Sequence, residues 1–445
     1  MSIDKASVDR PSMRRLLARG SIALVMIMSF RTFRFFPGMF YVQEVWYAAC
    51  FLFVFLVYPF WKMRTGLRFT RLELYLLLLI IASLGLAAWR AQQVFGQPLI
   101  YGILSQRDIV LIAAWLILSN MLRGEMINLA DIEIVLLYLA WGTFVLYSAA
   151  RLFLNPSDFG TYGEGLVTRP VAGTEPSFAF QPYFLIFGTF YYAILGIRNR
   201  KKRYYLVAAV LFLGALGGSG RGLAVCSAAT LIVLLVRLRG FRGTAITLLK
   251  LMSIVAVLGG VLYEIIPEML SVRFAGFSDA FSVAAKGSIT GDPSANARLF
   301  ETLAALPYIQ AHPLFGSGVV SHQWQGGSEM AMGEYFFATD IGILGIVFSF
   351  GIFGLCLYAF QYRVAWLAVK KLSGSFNNPL LDATKAFIIF SVFYSLQSGL
   401  CVWDAGATIF FVTLLDGIAA RDFTQSFTDN RNLERCPTLR PALSA

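Results

Sequence analysis

Residues 341–360 read IGILGIVFSFGIFGLCLYAF, twenty positions without a charge. At 1.5 Å per residue such a run makes a helix of about 30 Å, the thickness of a bilayer's hydrocarbon core. Shorter apolar cores, with at most two charges each, lie at 72–86, 132–146, 206–215 and 248–266. The whole chain agrees: 58% of its 445 residues are hydrophobic, and its mean hydropathy is +0.68. Apolar and polar residues do not alternate with period two, which argues against a β-barrel. The expected fold is an all-α polytopic integral membrane protein. Its spans read as roughly 20–36, 42–61, 72–90, 103–121, 132–153, 180–197, 204–217, 222–236, 245–266, 336–361, 385–401 and 404–420, about twelve transmembrane helices.

The net charge of +12 raises the question of nucleic acid. The positions of the charges answer it. Of the 37 Lys and Arg, 27 fall on one side of this topology, in clusters such as Arg14, Arg15 and Arg19, or Arg198 to Arg203. The positive-inside rule makes that side cytoplasmic and leaves no nucleic-acid partner to expect. The organisation follows. Residues 1–19 are a basic cytoplasmic tail, 20–266 carry nine helices, and 267–335 form a large loop on the non-cytoplasmic side. Residues 336–420 carry three more helices, and 421–445 are a disordered cytoplasmic tail. Arg31 and Arg34 after the first span either snorkel or mark the first two spans as a re-entrant hairpin. The expected location is a membrane, crossed many times, with both termini cytoplasmic.

The ten basic residues on the poor side are the informative ones. Arg169, Arg221 and Arg298 all fall there, and arginine is the side chain best suited to hold phosphate groups. Arg169 stands six residues before Glu175 on a Gly/Pro-rich loop, so both can face one cleft; the plainer reading is an interfacial anchor with a local ion pair. Arg221 sits in the short turn Ser219-Gly220-Arg221-Gly222, where glycines let backbone N–H groups approach an anion; an ordinary snorkelling arginine is the alternative.

Arg298 lies in the longest polar loop. Asp292-Pro293 reads as an N-cap and first helical position. Leu299, Phe300, Leu303 and Leu306 then recur at helical spacing, and Pro307 marks the end. Arg298 should therefore ride on a short amphipathic helix along the membrane face. His312 follows, either as an acid or base or as the residue that ends the helix. Glu334, just before a span, is a candidate general base on the same face. Asp340 is expected to be buried and partnered. The five cysteines form no CxxC and suggest neither a disulfide nor a zinc site. No metal or cofactor is expected, so the arginines would take the charge-neutralising role of Mg²⁺.

These residues resemble the O-antigen polymerase and O-antigen ligase superfamily of multi-spanning bacterial glycosyltransferases. The resemblance rests on Ser219-Gly220-Arg221-Gly222, on Arg298 followed by His312-Pro313-Leu314-Phe315-Gly316-Ser317-Gly318, and on Asp340-Ile341-Gly342-Ile343-Leu344-Gly345. The loop Arg169…Glu175-Pro176-Ser177 is similar to one in exopolysaccharide polymerases. The likeness covers residues 165–360. It implies a C-type-like fold, a location in the bacterial inner membrane, which makes the large loop 267–335 periplasmic, and a periplasmic site. The donor it implies is a glycan on undecaprenyl pyrophosphate, gripped by Arg221 and Arg298 with Arg169 and Glu175 lining the cleft. A flippase and a chain-length regulator are the implied partners, besides the lipid bilayer. The ligase branch carries a His-Asn-like pair where this chain has Ala331-Met332, which favours a polymerase. A ligase that transfers finished glycan to lipid A core, and a non-enzymatic transporter of lipid-linked sugar, stay as alternatives.

Overall fold

The computed structural model describes residues 13–32, 38–66, 68–124, 126–155, 167–168, 177–178, 181–218, 221–265, 289, 293–324, 327–332, 336–372 and 378–435. In chain order the helices are α1 (Met13–Phe30), α2 (Met39–Leu52), α3 (Tyr58–Thr65), α4 (Arg71–Phe95), α5 (Leu99–Ser105), α6 (Ala113–Arg123), α7 (Leu129–Phe153), α8 (Tyr183–Asn199), α9 (Lys202–Gly218) and α10 (Arg221–Ile265). They continue with α11 (Pro293–Ala311), α12 (Gly327–Met332), α13 (Gly342–Lys371), α14 (Pro379–Ser398), α15 (Leu400–Trp403) and α16 (Ala405–Arg435). A π turn at Phe53–Val57 joins α2 to α3, and a 3-10 turn at Arg107–Ile112 leads into α6. Among the described residues the only strands are β1 (Val167–Thr168) and β2 (Ser177–Phe178), paired antiparallel with Thr168 opposite Ser177.

The helix starts follow from local chemistry. Thr70 caps α4, its hydroxyl accepting from the Glu73 N–H while the Glu73 carboxylate accepts from the Thr70 N–H, a full capping box. Asn128 and Asn378 cap α7 and α14 through their side-chain oxygens, with Pro379 at the first position of α14.

Among the described residues six helices are long and apolar enough to cross a membrane: Tyr41–Thr65, Arg71–Phe95, Leu129–Phe153, Gly222–Ile246, Gly342–Lys371 and Pro379–Ser398. The bent pair α5 and α6, with a 51° angle at the break, makes a seventh if it is one span. The chain is thus a helical membrane protein with fewer unambiguous spans than the twelve expected. The reason is partly length: α8 and α9 are 17 residues each. The α10 helix has a non-helical break at Gly240 (φ 68°, ψ 176°), where the sequence places the turn between two spans. At the C-terminus α16 runs to Arg435 instead of yielding to a disordered tail after Ala420. No glycine or proline interrupts residues 421–435; Pro437 is the first breaker.

The chain divides into two compact units. The first combines Met1–Cys50 with Ile127–Asn296. Here α8 packs against α7 and α9, α1 against α7, and α10 against α9. Almost all of α8 is buried, from Tyr183 to Ile197, as an all-apolar helix must be. Arg19 donates to Asp131 at 2.6 Å, and Arg239 reaches the Ile197 carbonyl and the Tyr205 hydroxyl. All of these residues belong to the side of the topology that carries most of the positive charge.

The second unit combines Phe51–Met126 with Ala297–Ala445. It packs α16 against α6, α13 and α14, and α13 against α4. Lys62 and Glu73, both fully buried, form an ion pair at 3.0 Å. The Lys62 ammonium also donates to the Asn120 side-chain oxygen and lies 5.6 Å from the Trp61 ring. Arg123 pairs with Asp416. These contacts also join residues assigned to the basic side.

One feature of this unit positions the candidate site. The α13 helix breaks at Gly351 (φ 65°, ψ −169°). A break frees backbone groups that an intact helix would pair, and buried ones must find partners. The segment 313–318 supplies them. Ser317 and Gly318 donate their N–H groups to the Phe348 and Ser349 carbonyls at 2.6 and 3.0 Å. Ile352 and Phe353 donate to the Pro313 and Leu314 carbonyls at 2.9 and 3.0 Å. A Cβ on Gly318 would lie 2.2 Å from the Ala91 nitrogen of α4, at a φ of 88° that favours glycine. The string Gly316-Ser317-Gly318 is therefore a buried seam between α4 and α13.

Candidate functional site

The site grows from α11. The sequence places the end of this helix at Pro307, yet the helix continues to Ala311. Proline removes one hydrogen bond, to the Leu303 carbonyl, and the helix closes again with the His312 N–H on the Tyr308 carbonyl at 2.9 Å. The buried face is also not the expected one. Phe300, Leu303 and Leu306 are 54%, 54% and 37% exposed. The opposite stripe, Glu301, Ala305 and Tyr308 at the i, i+4, i+7 spacing, is the face that packs. Ala305 forms a core with Phe336, Ile341 and Phe348, and Tyr308 lies against the rings of Phe95 and Phe348.

This packing buries a carboxyl group. Glu301 is 4% exposed. Its Oε1 accepts from the Phe337 N–H at 3.2 Å, and its Oε2 is buried with no hydrogen-bond partner among the described residues. Burial pushes its pKa up to about 8, helped by the negative charge of Asp340; the Phe337 N–H and the Arg298 guanidinium pull the other way. A carboxyl that titrates near neutrality is matched to proton transfer. Arg298 is one turn earlier and exposed, in the i, i+3 relation that makes neighbours on a helix surface. Exposed guanidinium and buried carboxyl thus stand side by side.

The remaining expected residues divide. His312 is half-buried and ends α11: its N–H continues the helix and its carbonyl accepts from Gly316 N–H at 2.9 Å. That is the helix-ending role, and no acid–base partner of its ring is present among the described residues. Asp340 is exposed in the turn before α13, not buried, and accepts from the Thr339 hydroxyl at 3.2 Å. Arg221 is the first residue of α10, in the first unit. Arg169 and Glu175 fall between β1 and β2 and lie outside the described residues, as does Glu334. Arg298 is the one expected arginine whose side chain the structure places, in the second unit.

Two side chains escape the sequence reading. Glu301 does so because Leu299, Phe300, Leu303 and Leu306 make the louder stripe; testing both faces of the helix for apolar spacing would have put Glu301 in line with Ala305 and Tyr308. Arg90 is the other. From α4 its Nε donates to the Gly316 carbonyl at 2.8 Å, fixing the seam from the second side. Gln97, fully buried, completes that clamp, accepting from Ser321 N–H at 2.7 Å and donating to the Val319 carbonyl at 3.2 Å.

Among the described residues no three His, Cys, Asp or Glu side chains gather into a metal-binding group. The exposed cation and the neutral-range carboxyl can bind an anion and exchange a proton. No protein-family model, no curated protein and no solved structure matches this chain.

Proposed function

We propose that this protein is a membrane glycosyltransferase, a polysaccharide polymerase that extends glycan from undecaprenyl-pyrophosphate-linked repeat units at the periplasmic face of a bacterial inner membrane. The observation that carries the reading is that exposed Arg298 stands one helical turn before buried Glu301, whose carboxyl is pushed up to about 8. Support also comes from the order of the arginine-bearing motifs and from the basic faces of both units. In this reading the chain crosses the membrane about twelve times in a C-type-like fold. Arg298 holds the pyrophosphate, and the family resemblance makes Arg221, Arg169 and Glu175 further candidates for donor binding, each tested by its own alanine variant. Glu301 joins Glu334 and His312 as candidates for the general base; its raised proton affinity favours it, and it acts in this reading once bound substrate opens the way to its buried Oε2.

The chemistry balances without a metal step. The acceptor hydroxyl gives its proton to the carboxylate, and its oxygen bonds to the anomeric carbon. The bond from that carbon to the pyrophosphate oxygen breaks, and the departing pyrophosphate keeps the electron pair. The arginines act because negative charge on the leaving group is greatest after the bond has stretched.

A transporter of lipid-linked sugar is the second reading, and the break at Gly351 is what favours it, since discontinuous spans build transport sites. The break's backbone groups are, however, already occupied by residues 313–318, which leaves the polymerase ahead. Purified protein in liposomes with undecaprenyl-pyrophosphate-linked repeat units distinguishes the readings. Lipid-linked chains of increasing length support a polymerase. Transfer to lipid A core without lengthening would make it a ligase. Movement of the substrate across the bilayer without new bonds would make it a transporter.

A further inference from the structure

We propose that α11 and the turn after it, residues 293–318, form a re-entrant element that dips into the bilayer, with Phe300, Leu303, Leu306, Leu314 and Phe315 against lipid acyl chains. This is independent of the enzymatic reading.

Depth is the first argument. Gly351 lies nine residues into α13, roughly 13 Å along the axis from Gly342. The first charge beyond it is Arg363, twelve residues or about 18 Å further on. In a span whose hydrocarbon layer is about 30 Å thick, the break is well inside. The four backbone hydrogen bonds between 313–318 and 348–353 tie the turn to that depth. The α11 helix has 19 residues and is about 28 Å long, enough to reach the break from the membrane surface.

Surface chemistry is the second argument. Leu314 is 62% and Phe315 43% exposed, beyond the stripe already described on α11. The Phe315 ring lies 5.7 Å from that of Phe353 on the spanning helix. Ile352 and Phe353 are themselves 49% and 44% exposed. The exposed apolar turn that ends α11 thus adjoins the lipid-facing surface of α13, so that one solvent serves both. In water the same five side chains would make an aggregation-prone patch.

The third argument is that the backbone tolerates the position. Irregular chain survives at membrane depth only where protein satisfies its polar groups. Gly316, Ser317 and Gly318 are buried, and their N–H groups all donate to backbone carbonyls. The Gly316 carbonyl accepts from Arg90 and that of Val319 from Gln97.

The test uses the full chain with its native cysteines replaced, reconstituted in liposomes, and carrying one nitroxide at Leu303→Cys, Leu306→Cys or Leu314→Cys. Power-saturation measurements compare collision with oxygen, which partitions into lipid, and with a nickel chelate, which stays in water. Phe353→Cys gives the lipid reference and Gln323→Cys, on an exposed turn, the polar one. These substitutions sit on exposed positions, and size-exclusion profiles matching the parent confirm folding. The proposal expects oxygen accessibility to exceed that of nickel several-fold at all three positions, most at 314. Nickel-dominated collisions would overturn it by placing α11 in water. Low accessibility to both would overturn it too, showing the stripe covered by protein.

Discussion

Replacing Glu301 with Gln separates the stability of the site from its chemistry. In the unfolded chain the carboxyl ionises at the ordinary value of 4.5, whereas in the folded protein it holds its proton up to about 8. Between those pH values the folded state binds more protons, so stability falls as pH rises. The destabilisation is absent below the unfolded value and complete above the folded one. At 1.36 kcal/mol for each tenfold difference in proton affinity, Glu301 costs the fold on the order of 3 kcal/mol at about pH 7 and on the order of 4–5 kcal/mol above about pH 8. Glutamine keeps an oxygen for the Phe337 N–H and cannot ionise. Glu301→Gln should therefore raise the apparent unfolding temperature in detergent, by an amount that grows from about pH 5 to about pH 9. Under the proposed polymerase reading the same variant should lose polymer synthesis, while the activity of the parent protein rises with pH through about 8. Parallel melting curves for the two proteins across that range would refute the buried, proton-holding carboxyl. A more stable variant with full activity would refute its role as base.

Other consequences follow from the same geometry. Gly318→Ala places a Cβ 2.2 Å from the Ala91 backbone nitrogen, while a Cβ on Gly85, in the same α4, would meet nothing within 4 Å; size-exclusion chromatography should show Gly318→Ala misfolded and Gly85→Ala unchanged. Lys62→Met strands the buried Glu73 carboxylate and should destabilise by about 3–5 kcal/mol, whereas Lys62→Met combined with Glu73→Gln should recover much of that loss; thermal melts of both report it, and an additive double variant would contradict a coupled pair.

Hydropathy and charge make the membrane class legible, because twenty uncharged residues such as 341–360 have few other destinations. Charge also sorts the faces: Arg19 with Asp131, Lys62 with Glu73 and Arg123 with Asp416 are pairings between residues assigned to one side. What the sequence hides is tertiary. The break at Gly351 lies inside the longest uncharged run described above, and only the chain that fills it, 313–318, makes it tolerable. Pro307 reads as a stop because its missing N–H is a local fact, whereas the packing of Ala305 and Tyr308 that carries α11 past it is not. An apolar stripe such as that on α11 marks a core face in a water-soluble protein. In a membrane protein the apolar side can face lipid, which leaves Glu301 on the packed side. Asp340 reads as part of the span in hydropathy, yet Gly342 begins the helix two residues later.

The central claim is that exposed Arg298 grips a pyrophosphate leaving group, and glycan size tests it most directly. A strain lacking this protein is compared with the same strain carrying the parent chain or Arg298→Ala. Because the side chain is exposed and makes no ion pair among the described residues, the variant should accumulate to the normal level. The account predicts single repeat units and no long chains with Arg298→Ala, as in the deletion. Full-length polymer from the variant would contradict it.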